Sequence, residues 1–268
     1  MRQRNCLVVV LATVLMAWGC TMVAAADKPA VDPAAVDKAF EALKTLDWGM
    51  DLKPLAPIDD AIPATHGDAA ARKELATRLA AVLGTGAPRA AKDYVCRKLR
   101  VIGSAESVPA LAALLADKDL SHMARYALER IPAPEAAQAM RDALPKLSGA
   151  LKIGAVGSLG VRRDAASVAA IAALLGDADP SLACAAACAL GNIGSPDAAT
   201  ALCEAGKKAP EAVKPAVADG ALACAERLLA DGHKAEAIAL YKSLKDDEAQ
   251  SKQVRLAATR GLLSAAGK

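Results

Sequence analysis

The sequence predicts an all-α protein, an α-solenoid of stacked antiparallel helix pairs about six repeats long. Three observations carry that reading. Leu99, Leu128, Leu159 and Leu190 recur at intervals of 29, 31 and 31 residues, a period that belongs to helical repeat arrays. Apolar residues keep fixed offsets from each of these landmarks. Turn and helix-start signals fall between the apolar segments.

The offsets can be followed repeat by repeat. Eight residues before the landmark stand Ala91, Leu120, Leu151 and Leu182; four before it, Val95, Ala124, Ala155 and Ala186; three after it, Ile102, Ile131, Arg162 and Ile193. Steps of four and three trace one stripe of an α-helix. A second stripe follows at plus nine (Val108, Ala137, Val168, Ala199), plus twelve (Leu111, Met140, Ile171, Leu202) and plus sixteen (Leu115, Leu144, Leu175, Gly206). Each repeat therefore holds two amphipathic helices. Between them, Ser104 ahead of Glu106, Ala133-Pro134-Glu135 and Ser195-Pro196-Asp197 place proline or a carboxylate where a first turn tolerates them. The return turns Asp117-Lys118-Asp119 and Asp177-Ala178-Asp179 lie sixty residues apart, two repeat lengths.

The segments Val108-Pro109-Ala110-Leu111 to Asp119 and Val168 to Gly194, closed by Ala189-Leu190-Gly191-Asn192-Ile193-Gly194, resemble HEAT repeats of the short, bilin-lyase-like type. The resemblance spans residues 67 to 265. The chain is also similar to secreted, alanine-rich HEAT proteins of bacteria. A resemblance of this kind implies a fold far more strongly than an activity.

Along the chain, residues 1–26 have the layout of an export leader: Arg2 and Arg4, an apolar run from Leu7 to Trp18, and Ala24-Ala25-Ala26 before Asp27. Three fates stay open, namely cleavage after Ala26, lipidation at Cys20 within Ala17-Trp18-Gly19-Cys20, and retention as an anchor. All three imply a periplasmic, secreted or envelope location. Residues 27–68, with Pro29, Pro33, Pro54, Pro57 and Pro63 around one expected helix at 36–46, read as an N-terminal arm that caps the array. The array proper is expected over residues 69–265, starting with a pair at 72–83 and 89–102, and residues 266–268 form a tail. Leu222 extends the landmark by 32 residues, residues 232–241 resemble the first helix of a tetratricopeptide unit, and Val254, Ala258 and Leu262 restore the stripe.

Hydrophobic residues make up 54% of the chain but aromatic ones only 2%. The core must therefore rest on many small contacts among Ala, Leu, Val and Ile, because alanine buries little area. Removal of residues 1–26 takes away two arginines and no acids, leaving 31 basic against 30 acidic side chains. Near neutrality and scarce rings argue against a nucleic-acid binder.

No catalytic constellation is expected, since a phosphate loop, a nucleophile elbow and a zinc-binding His-Glu-x-x-His are all missing. HEAT-like hydroxylases hold iron through His-Glu dipeptides, whereas His66, His122 and His233 precede Gly67, Met123 and Lys234. No cofactor or metal is expected either. Cys184 and Cys188, at offsets minus six and minus two, share a face with Asp93/Arg97, His122/Tyr126 and Ile153/Gly157. They read as small apolar positions, with a disulfide through Cys203 or Cys224 as the open alternative.

The candidate site is the face carrying Lys92, Arg97, Arg100, His122, Arg125, Tyr126, Cys184 and Cys188, joined by Arg130 and Lys152, basic at one end and uncharged at the other. It suits a protein or peptide partner with acidic and apolar groups. Against that stands the reading that these cations are solvated or bridge turns, for example with Arg125 paired to Asp117 or Asp119 in its own repeat. The functional expectation is an exported, non-catalytic interaction scaffold. The alternative, implied by the resemblance, is an accessory or subunit of an enzyme system resembling bilin lyases.

Overall fold

The structure, a computed structural model, describes residues 32–267, and the leader lies outside them. The described residues contain helices and turns and no strand. Fourteen α-helices follow one another: α1 (Pro33–Leu43), α2 (Ala56–Ala64), α3 (Ala69–Leu83), α4 (Arg89–Ile102), α5 (Val108–Ala112), α6 (Ser121–Leu128) and α7 (Pro134–Ala143), then α8 (Gly149–Val161), α9 (Val168–Ala172), α10 (Pro180–Ile193), α11 (Pro196–Gly206), α12 (Lys214–Ala230), α13 (Lys234–Asp246) and α14 (Lys252–Ala265). None of them is long and apolar enough to cross a membrane.

Two layers result. The landmark helices α4, α6, α8, α10, α12 and α14 pack each on the next, and α9, α11 and α13 do likewise in the second layer, as do α3, α5 and α7. Sequence neighbours close the pairs across the layers, α3 on α4, α5 on α6 and so on to α13 on α14. From α3 to α14 that makes six antiparallel pairs, the α-solenoid that the periodicity predicts.

Burial follows the register. Leu99, Leu128, Leu159 and Leu190 are fully buried, as are Val95, Ala124, Ala155 and Ala186 four residues before them and Leu111, Met140 and Ile171 twelve after. Each large landmark side chain contributes about 1.5–3 kcal/mol by leaving water. The turns are fixed locally: Asp117 Oδ1 accepts from the backbone N–H of Asp119 (2.8 Å), and Asp177 Oδ1 from that of Asp179 (2.9 Å). Ser195 Oγ accepts from Ala198 N at 3.2 Å and starts α11. Gly194 ends α10 at φ +65°, the left-handed geometry that favours glycine there.

Three details differ from the sequence reading. Residues 32–68 hold two helices instead of one, because Asp51 caps a turn that leads Pro54 and Pro57 into the start of α2. Both contact the next pair: Arg78 of α3 lies 4.3 Å over the Phe40 ring of α1, and Asp59 of α2 accepts from Tyr94 Oη of α4 at 2.8 Å. In α12 the landmark is Ala221, 31 residues after Leu190, while Leu222 is only half-buried. The backbone of α12 approaches α10 most closely at the neighbouring Gly220, where a Cβ would lie 2.5 Å from Ala187 O. Ser104 does not cap a helix; its Oγ donates to Glu106 Oε2 at 2.6 Å.

Candidate functional site

Offsets minus six and minus two form an unbroken outer stripe across the landmark layer. Arg97, His122 and Cys188 are exposed, while Asp93, Tyr126, Ile153, Gly157 and Cys184 are half-exposed. In the frame of Ala221 the stripe continues on α12 as Pro215 and Asp219, both exposed. The helical period dictates this, since residues four apart on each helix point the same way and successive landmark helices lie side by side.

The expected basic end is more internally bonded than its composition suggests. Arg97 Nε donates to Asp93 Oδ2 at 2.9 Å on its own helix. Arg100 stacks 4.4 Å over the Tyr126 ring of the next landmark helix, a cation–π contact worth about 1 kcal/mol. Lys92 and Lys152 are half-buried, and His122 and Arg130 stay exposed.

Arg125 corrects its expected pairing. Asp117 closes its own turn, and Asp119 faces Arg89 at 3.4 Å. The Arg125 guanidinium instead crosses to α8, donating to Gly154 O (2.9 Å) and Ser158 Oγ (3.1 Å). Ser158 Oγ in turn donates to Glu129 at 2.7 Å. A side chain at 154 would collide with this guanidinium, a Cβ there coming within 2.4 Å of it, which accounts for glycine. Burial pushes the Arg125 pKa down, and Glu129 opposes that shift. Arg125 is thus a strut between repeats.

Arg162, which interrupts the apolar plus-three position, has a similar job. Its guanidinium donates to Leu128 O (2.6 Å), Ile131 O (2.7 Å) and Ala133 O (3.3 Å) of the preceding repeat. The first two are carbonyls at and just beyond the end of α6 that lack an intrahelical partner, while Ala133 O also accepts from Ala136 N at 3.1 Å.

The cysteines separate by environment. None of the five described ones forms a disulfide. Burial pushes the Cys96 and Cys224 thiols up to about 12, which suppresses the nucleophilic thiolate. Cys188 is raised as well, by burial first and then by Cys184 and Asp219. The stripe therefore offers Cys184 and Cys188 as soft apolar contacts. Among the described residues no group of three or more His, Cys, Asp or Glu side chains is placed to hold a metal.

One concavity escaped the sequence reading. A cleft of about 720 Å³ opens between α11, α12 and α13 and the start of α14, with Leu202, Val217, Leu240 and Leu244 beneath and Lys207, Asp219 and Gln250 among its rim. Cys203 sits in it, beside the Ser243 hydroxyl. The only sequence signal was the loosened spacing around 207–213, which breaks the repeat without naming a pocket.

Against known proteins, no curated sequence matches this chain. Among solved structures it is similar to an engineered protein (20% identity, 78% of this chain and 96% of that one, TM-score 0.37). It is also similar to human deoxyhypusine hydroxylase in complex with glycerol (17% identity, 88% of this chain and 97% of that one, TM-score 0.36). Residues 141–223, from the end of α7 into α12, match the family model of HEAT repeats.

Proposed function

We propose that the chain is an exported, non-catalytic scaffold that takes a protein or peptide partner on the outer surface of its landmark layer. The unbroken stripe at offsets minus six and minus two supports this most directly. Five helices present it in series, with Arg97 and His122 toward one end and Ile153, Gly157, Cys184 and Cys188 following. A partner with a carboxylate beside Arg97 and apolar side chains over Cys184 and Cys188 complements it. HEAT repeats form helical scaffolds that often mediate such contacts.

The test uses the two exposed positions whose loss leaves the stack intact. Partners are captured from the envelope fraction with the wild-type chain, with Arg97→Glu/Cys188→Glu, and with Glu204→Arg on the second layer. Loss of the same partner with the double variant alone supports the face. Equal capture by all three rejects it. Export is tested separately by the intact mass of the mature chain, which separates cleavage after Ala26 from lipidation at Cys20.

A further inference from the structure

Among the described residues, five of the seven large hydrophobic side chains left exposed lie near the two ends: Trp48 (63%), Met50 (54%) and Leu52 (56%) in the connection between α1 and α2, Leu256 (49%) and Leu263 (51%) on α14. Their surroundings carry opposite charge. Residues 32–68 contain eight carboxylates against three lysines, and α14 contains Lys252, Arg255 and Arg260 and no acid.

The register explains the C-terminal group. Taking Leu262 as the landmark of α14, Leu263 and Leu256 occupy offsets plus one and minus six. On α8 and α10 the plus-one residues are Gly160 and Gly191, which meet Ala189 and Gly220 of the following helix. Leu263 thus sits on the side that a next helix covers elsewhere in the stack, and Leu256, one stripe position outward at minus six, extends that apolar surface. At the other end, the connection between α1 and α2 is bent outward by local bonds. Asp47 Oδ1 accepts from Trp48 N at 2.8 Å, Asp51 Oδ1 accepts from Lys53 N at 3.0 Å, and Gly49 takes φ +83°. These bonds hold Trp48 and Met50 out as a preformed apolar tip flanked by carboxylates.

We propose that a second copy of this chain docks head to tail, the acidic Trp48–Leu52 end of one molecule seating on the basic Leu256–Leu263 face of α14 in the next. An apolar centre ringed by complementary charge fits both surfaces to each other and neither to itself. Because the two surfaces differ, the contact is heterologous and propagates into rings or filaments instead of stopping at a two-fold dimer. It leaves the stripe on α4 to α12 uncovered, so a scaffold made this way repeats its partner site along the assembly.

The experiment is sedimentation velocity on the purified chain, from low micromolar to about 200 µM, with two end variants: Trp48→Ala/Met50→Ala/Leu52→Ala at one end and Leu256→Asp/Leu263→Asp at the other. All five positions are exposed, and circular dichroism checks that both variants keep the helical content of wild type. Wild type should show concentration-dependent oligomers that weaken at least tenfold as sodium chloride rises from 50 to 500 mM. Each variant alone should remain monomeric. Mixed at equal concentration, the two should form a one-to-one dimer and nothing larger, since only one intact pair of ends remains. A wild type that is monomeric throughout overturns the proposal. So does a variant that dimerises alone, which would reveal a symmetric contact or one through residues 1–31.

Discussion

The seam between α6 and α8 and the seam between α10 and α12 join the same kind of helix pair by opposite chemistries. At α6–α8, Arg125, Glu129, Ser158 and Arg162 fill the joint with charge-assisted hydrogen bonds to backbone and side chains. At α10–α12 the backbones come close enough that a Cβ on Gly191 would lie 2.6 Å from Gly220 O, and one on Gly220 would lie 2.5 Å from Ala187 O. One joint is wide and polar, the other narrow and made of glycine and alanine. A constant 31-residue period therefore fixes the order of helices but leaves the spacing of each joint to its side chains.

The narrow joint should break hardest. Ala186 is fully buried on α10, and Ala186→Glu would place an unpaired charge there at about 4 kcal/mol. Urea unfolding measures it, and an unchanged midpoint would refute the register. Gly220→Val drives its side chain into the Ala187 carbonyl and should cost about 3 kcal/mol by overpacking. Gly157→Ala is the control, because nothing lies within 4 Å of a Cβ at that position. It should raise stability by about 0.5–1 kcal/mol through helix propensity alone. Opposite signs at two glycines of one layer would separate close approach from chain flexibility.

The wide joint depends on satisfied polar groups. Arg162→Met keeps the aliphatic stem but orphans the carbonyls of Leu128 and Ile131. The expected loss is about 2 kcal/mol, read by thermal unfolding. Arg162→Ile would show whether the plus-three position wants isoleucine, as it has in three of the four landmark repeats. A larger loss with Ile than with Met would tie the cost to the absent stem and not to charge.

These joints also mark how far the sequence could be read. Leu99, Leu128, Leu159 and Leu190 were legible because burial repeats with the helical period, and a residue's own helix settles that. Arg125 and Arg162 were not, because their partners lie 29 to 34 residues away, in contacts that no local pattern records. Leu222 misled for a related reason: leucine is the stronger core former, but the glycine contact with α10 turns the adjacent Ala221 inward. In the candidate site, the outer stripe was readable from offsets, whereas the bonding of its cations and the cleft beside Cys203 depended on three-dimensional neighbours.

Acid offers the mildest comparison, between the narrow α10–α12 joint and the ion-paired contact of α3 with α5. Glu106, leading into α5, is held down to about 2 from its ordinary 4.5, first by its bond to Lys73 of α3 and then by Ser104. A carboxylate whose folded pKa is depressed stabilises fully above its unfolded value and ceases to do so as pH falls through the folded one. That contribution should fade between pH 4.5 and 2, and it is small because both partners are largely exposed. Asp231 is similarly lowered by Arg163, but it lies beyond the C-terminal end of α12, away from the Gly191–Gly220 contact, which has no titrating group of its own. Hydrogen exchange at pH 2.5 should therefore show amides of α3 and α5 losing protection relative to pH 6 before those of α10 and α12. Glu106→Gln should remove most of that difference at the N-terminal side. If α10 and α12 open first in wild type, close glycine packing is weaker than the ion-paired contact of α3 with α5.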